Sequence, residues 1–171
     1  NPPQPPTPEI IDEMSSIGEN HTFGPGIIVD RMVEIAQLVN YQKSVFQPTN
    51  ITLDQLAHLA IKAYLLTNDF TLLHGVTGCH ALRIILSWIS HRELALRCFW
   101  QAFVVAYLST GSIPLVNKNA KAQKINDWDE IISKGRSSSN DHVIKIVYTC
   151  WSEHQHYENQ EYLAAASRAI A

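Results

Sequence analysis

Nothing in this chain can be laid down as a sheet: no stretch of Val, Ile or Thr alternates with polar residues over strand length, and no segment repeats itself. The apolar share of 46% must therefore be buried by helices. No glycine-rich phosphate loop follows a strand, so a Rossmann-type nucleotide site has no signature. Basic residues are few and scattered, 13 against 16 acidic ones for a net charge of -3, which gives neither a nucleic-acid backbone nor an anionic membrane surface anything to attract it. Cysteines are scarce too. Cys79, Cys98 and Cys150 are odd in number, far apart and set among helical apolar residues, the pattern of buried reduced thiols and a cytoplasmic setting rather than of a disulfide framework. No apolar run reaches the roughly 18 to 20 residues of a membrane span, since Ile84 to Leu108 is interrupted by His91-Arg92-Glu93 and by Arg97. An initiator methionine and a charged-then-apolar leader are also missing, and the start at Asn1 reads as a trimmed or internal boundary of a longer domain.

What is present divides simply. Residues 1–8 hold five of the eight prolines and read as a disordered tail or linker. Residues 9–171 are of single-domain length. Their helical periods predict segments over about 9–17, 26–42, 52–68, 69–90, 91–111, 128–134, 142–157 and 160–171, with a lysine-bearing surface connection over 112–126. Thr52 or Asn50, Asp69, and one of Ser139, Asn140 and Asp141 have the chemistry to cap the helices they precede. The fold class expected is all-α, a multi-helix orthogonal or bundle-like array.

The densest chemistry lies from Asp69 to Arg83, where His74, His80, Gly75 and Gly78 interrupt an apolar helix. A helix-interior glycine costs about 1 kcal/mol relative to alanine, so two within one turn point to the close approach of a second backbone or a ligand. His74 stands beside Phe70, Thr71, Thr77 and Gly78; it reads as a hydrogen-bonded core residue or as a ligand or acid/base group. His80 lies about 120° around the helix from His74 and reads as structural. A second cluster follows the polar turn at 136–141. His142 and Lys145 share one helix face with Thr149, and His156 lies beyond, a stripe that either meets water or lines a polar cavity.

The segments Thr67-Asn68-Asp69-Phe70-Thr71-Leu72-Leu73-His74-Gly75-Val76-Thr77, Ala81-Leu82-Arg83 and Asp141-His142-Val143-Ile144-Lys145 resemble the questin oxidase-like family in order and approximate separation, over roughly Ile27 to Ala171. That resemblance implies a mostly fungal, helical oxidoreductase of secondary metabolism that opens rings of anthraquinones and related polyketides, described as Baeyer-Villiger-like oxidation or as dioxygenation, with NADPH named for some members. It also implies an atypical non-haem Fe(II) site of several histidines and a carboxylated lysine. His74 matches the first motif, and His142 and Lys145 the second, with Lys145 as the carboxylated lysine and His142 as a ligand or an outer-shell partner. Imidazole nitrogen with a carbamate oxygen is a coherent mixed shell for Fe(II). His21, His58, His91, His154 and His156 match no motif and default to surface or capping roles.

The family's members are longer and bring further histidines from an N-terminal half, so the resemblance leaves an incomplete shell here. The expected partners are a small aromatic polyketide and either that missing half or a second copy of the chain. The competing expectation is a truncated, non-catalytic helical scaffold or interaction module. Geometry separates the two: the iron reading requires the helix from His142 to pack on the helix from Asp69, Gly75 and Gly78 easing its approach, with His142, Lys145 and Thr149 turned inward. A solvent-facing Lys145 favours the scaffold.

Overall fold

The computed structural model describes residues 5–111, 113–116 and 124–171. Among them the chain forms nine α-helices and no strand, as the lack of alternating segments requires. In order these are α1 (Pro8–Glu13), α2 (Ile28–Gln37), α3 (Val39–Ser44), α4 (Leu53–Thr67), α5 (Phe70–Ile85), α6 (Arg92–Leu108), α7 (Trp128–Ser137), α8 (Asp141–Tyr157) and α9 (Gln160–Ala169), with short 3₁₀ turns at Ser15–Ile17 and Leu86–Trp88.

The frame is a pair of helical hairpins. α4 ends on Asn68 in the left-handed conformation (φ 54°) and Asp69 at once caps α5, its carboxylate accepting from Thr71 N at 2.7 Å. α8 ends on left-handed Glu158 (φ 53°) and Asn159 caps α9 from Glu161 N at 2.9 Å. Two residues thus reverse the chain at each corner, the capping side chains satisfying amides that the new helix leaves without partners. The hairpins lie side by side in the same sense. The Tyr162 hydroxyl reaches the Ala57 carbonyl (3.5 Å) and Arg168 the Leu65 carbonyl (2.9 Å), so α9 runs along α4. On the other side α8 runs along α5.

α4 is the most enclosed element, with Leu56, Ala57, Leu59, Ala60, Ile61, Ala63, Tyr64 and Leu65 all buried against α5, α6 and α9. α2 and α6 cover one flank and α7 the other. Asp12, one turn past the start of α1, accepts from the amides of Leu115 (2.8 Å) and Val116 (2.7 Å) and so ties the segment after α6 to the N-terminal helix.

Several boundaries differ from the sequence reading. The helix expected over 26–42 starts at Ile28, where Asp30 accepts from Ile27 N at 2.8 Å, and breaks at Leu38, whose extended backbone (ψ 132°) separates α2 from α3. Burial decides this: Ile35 and Tyr41 both point into the core, and the kink lets each reach it. The helix from Asp69 ends at Ile85 and tightens into the 3₁₀ turn. Pro6 is buried, Thr7 caps α1 and Pro8 opens it, while residues 1–4 of the expected tail and most of the expected 112–126 connection lie outside the described residues. α5 with its 3₁₀ turn, Phe70–Trp88, is the one helix among the described residues long and apolar enough, by length and composition, to cross a membrane. It packs against α4, α6 and α8, which bury 28% of that apolar window.

Candidate functional site

The side chains singled out by sequence meet along the seam between α5 and α8, at two places. At its N-terminal end α5 offers Phe70 and His74, one turn apart, and α8 offers His142. The His74 and His142 rings stand 5.9 Å apart at 68°, and Phe70 touches both edge-on, at 4.9 and 4.8 Å. His74 Nδ1 lies 2.9 Å from the Phe70 carbonyl oxygen, which can only accept, so Nδ1 carries a proton and donates it there. His142 Nδ1 sits 3.1 Å from Asp141 Oδ1. Two imidazoles meeting across the seam, the tautomer of His74 set by the Phe70 carbonyl, are the side-chain type an imidazole-binding metal takes.

Lys145 does not join them. Its ammonium lies 2.8 Å from Asp141 Oδ2, one turn back on α8, and its side chain is 63% exposed. The same bond holds the Asp141 carboxyl below the usual carboxylate range. The stripe expected to face inward is split: Thr149 is buried and Lys145 meets water. The cause is local, because an acid four residues before a lysine on an exposed face offers a partner with no desolvation. No group of three or more His, Cys, Asp or Glu side chains is placed to hold a metal ion among the described residues.

The glycines of α5 also have a different neighbour from the one expected. A Cβ on Gly75 would fall 2.8 Å from the Phe103 ring, and one on Gly78 2.9 Å from the Phe99 ring. The close approach belongs to aromatic side chains of α6, not to α8 or a ligand. Beside them His74 borders a small apolar cleft of about 120 Å³ among α2, α5 and α6, well below the ~300 Å³ at which small-molecule sites begin.

Further along the seam lies a cluster that sequence reading missed. Glu153, 1% exposed, accepts from Arg83 Nε (2.9 Å) and Nη2 (2.7 Å), while His80 Nδ1 approaches the same carboxylate at 2.6 Å. Arg83 Nη2 also donates to Ser152 Oγ at 3.0 Å. Ion pairing and multiple hydrogen bonds make this buried carboxylate tolerable. The hydrogen bonds that Arg83 donates to Glu153 raise the Arg83 pKa still further. Burial, with Glu153 nearby, pushes the Cys79 and Cys150 thiols and the Tyr157 and Tyr162 hydroxyls upward, so all four stay protonated. The available signal was register: Ile146, Thr149, Cys150 and Glu153 are spaced as one helix face, and an acid closing an inward face needs a cationic partner.

His80 is structural, as expected. Cys79 and Cys150 are buried free thiols, as expected, but Cys98 is exposed, facing away from the core on α6. Three of the remaining histidines bond nearby oxygens: His58 with Asp54 O, His154 with Asn159 O and His21 with Glu34.

A family model described as questin oxidase-like matches residues 9–150, most of the chain, taking in His74, His142 and Lys145 and ending before Ser152 and Glu153. No curated protein and no solved structure matches it.

Proposed function

The chain belongs to the questin oxidase-like family, which supports a general oxidoreductase assignment, and from that premise we propose that it takes part in oxidative ring cleavage of an anthraquinone or related aromatic polyketide at a non-haem iron. The observation that carries the reading is the meeting of His74 and His142, from motifs 68 residues apart, with their rings 5.9 Å from each other. These two imidazoles would hold the metal. A bound Fe(II) supplies the one-electron chemistry toward dioxygen that the chain's own side chains lack.

Around it the protein's residues have definite tasks. The Phe70 carbonyl accepts from His74 Nδ1 and so orients that ring, and Asp141 lies beside His142 Nδ1 at 3.1 Å. The Phe70 ring, against both imidazoles, restricts their rotation and excludes water from one side. Lys145, the proposed carbamate donor, must first leave Asp141 and lose its proton, because an ammonium repels a cation. NADPH is the proposed reductant, as for some relatives, and the proposed setting is the cytoplasm.

The second reading, a non-catalytic helical scaffold, is favoured by one observation, the solvated Lys145. The deciding experiment is incubation of the Fe(II)-loaded protein with an anthraquinone and isotopically labelled dioxygen, with and without NADPH. Label in a ring-opened product, lost in His74→Ala and in His142→Ala, is the expected result. Activity that survives both substitutions overturns the site, and protein that holds stoichiometric iron without forming product leaves the scaffold.

A further inference from the structure

On the side of α8 toward α7, α7 and α8 enclose a groove of about 370 Å³, whose Tyr148 ring also stands 5.6 Å from that of His80 on α5. Its floor exists because residue 135 is glycine. Val147 occupies the place of the missing side chain, its Cγ1 2.8 Å from where a Cβ would be, so α7 lies close against α8. Ile132 of α7 forms one wall. The other is Ile144, Tyr148 and Trp151 of α8, whose spacing by four and three residues puts them on one face. These three are 44%, 58% and 40% exposed, a large apolar surface to leave in water. The Tyr148 and Trp151 rings stand 6.5 Å apart and tilted by only 36°, presenting adjacent flat faces.

Arg136 lines the same groove. The neighbouring cations are neutralised within their own helices, Lys134 by Glu130 at 2.9 Å and Lys145 by Asp141 at 2.8 Å. The Arg136 guanidinium has no carboxylate partner among the described residues. It is thus a planar two-pronged donor, with its charge uncompensated, beside an aromatic wall.

We propose that this groove binds a flat hydrophobic monocarboxylate, its ring system against Tyr148 and Trp151 and its carboxylate bidentate on Arg136. The volume lies within the range of small-molecule sites and suits two to three fused rings. A single unpaired guanidinium matches a single anionic charge. The inference is independent of the iron site, since neither His74 nor His142 lines the groove.

The test is equilibrium dialysis of the full chain with 2-naphthoate and with 2-naphthalenemethanol, its uncharged counterpart. Saturable one-to-one binding of the acid is expected, about tenfold tighter than the alcohol. Arg136→Gln should erase that tenfold difference and leave the alcohol's affinity unchanged, whereas Tyr148→Ala should weaken both ligands by about fivefold. Equal affinity for acid and alcohol, no saturation by either, or an Arg136→Gln protein that still prefers the acid would each overturn the proposal. So would concentration-dependent dimerisation that shields Trp151 from an aqueous quencher, since the face would then be an interface between copies of the chain.

Discussion

At one end of the α5/α8 seam two imidazoles stand at the surface with a nitrogen each to spare; two to three turns further on, a third imidazole and a guanidinium are tied to a carboxylate with almost no exposure. The same pair of helices carries both. The inner end has every charge matched and touches little solvent, so it fixes how α5 and α8 lie together. The outer end, relieved of that task, keeps unsatisfied donor atoms at the surface. Chemistry is to be sought where bonding capacity is left over, and stability where it is exhausted.

The sharpest way to break this comparison is to remove the inner carboxylate. Glu153→Ala leaves Arg83 and His80 facing a gap, and a loss of about 3–5 kcal/mol is expected in urea unfolding. A loss under about 1 kcal/mol would mean that the inner end is no clamp. Next in size is Gly75→Ala, whose Cβ would collide with the buried Phe103 ring. A net cost of about 1–3 kcal/mol is expected despite the better helix propensity of alanine. Gly78→Ala should cost less, because Phe99 is partly exposed and its ring edge can move; thermal melts of the two variants side by side check the order.

At the outer end the expectation reverses. His74→Ala and His142→Ala should each change stability by no more than about 0.5–1 kcal/mol, as for other exposed positions, while abolishing any Fe(II) binding followed anaerobically by metal titration. If either variant unfolds instead, the pair is structural. The thiols sharpen the contrast: a disulfide reagent should modify Cys98 alone in the native protein and all three cysteines after unfolding, since burial keeps Cys79 and Cys150 protonated and covered.

The smallest effect concerns pH. The Asp141 carboxyl is depressed by Lys145, so its contribution is present above the unfolded value of 3.8 and is lost as pH falls through the lower folded value. Only below about pH 4 should the Lys145 ammonium resonance move toward that of a free lysine in NMR. A shift at neutral pH would show that Asp141 does not hold the lysine.

Much of the fold is legible in the sequence because its signals are local. Asp69, Thr52 and Asn140 announce their helices through side chains that reach amides two or three residues on. The break at Leu38 carries no glycine or proline and follows from where the core lies, which no window of sequence contains. The glycines of α5 are legible as a close approach, but their partners, rings of α6, depend on how the helix is rotated. His74 and His142 are legible through their motifs, whereas Glu153 is not read as a site because its meaning comes from Arg83, 70 residues away.

Helices that run alongside each other in the same direction cannot be joined by a tight turn, and between the end of α5 and the start of α8 the chain passes through α6 and α7. The bonds that align them span 69 to 73 residues. Each hairpin can zip up locally within its own two-residue corner, but the joining of one hairpin to the other must wait for a long loop to close. The imidazole pair therefore depends on that long loop closure and not on either hairpin alone.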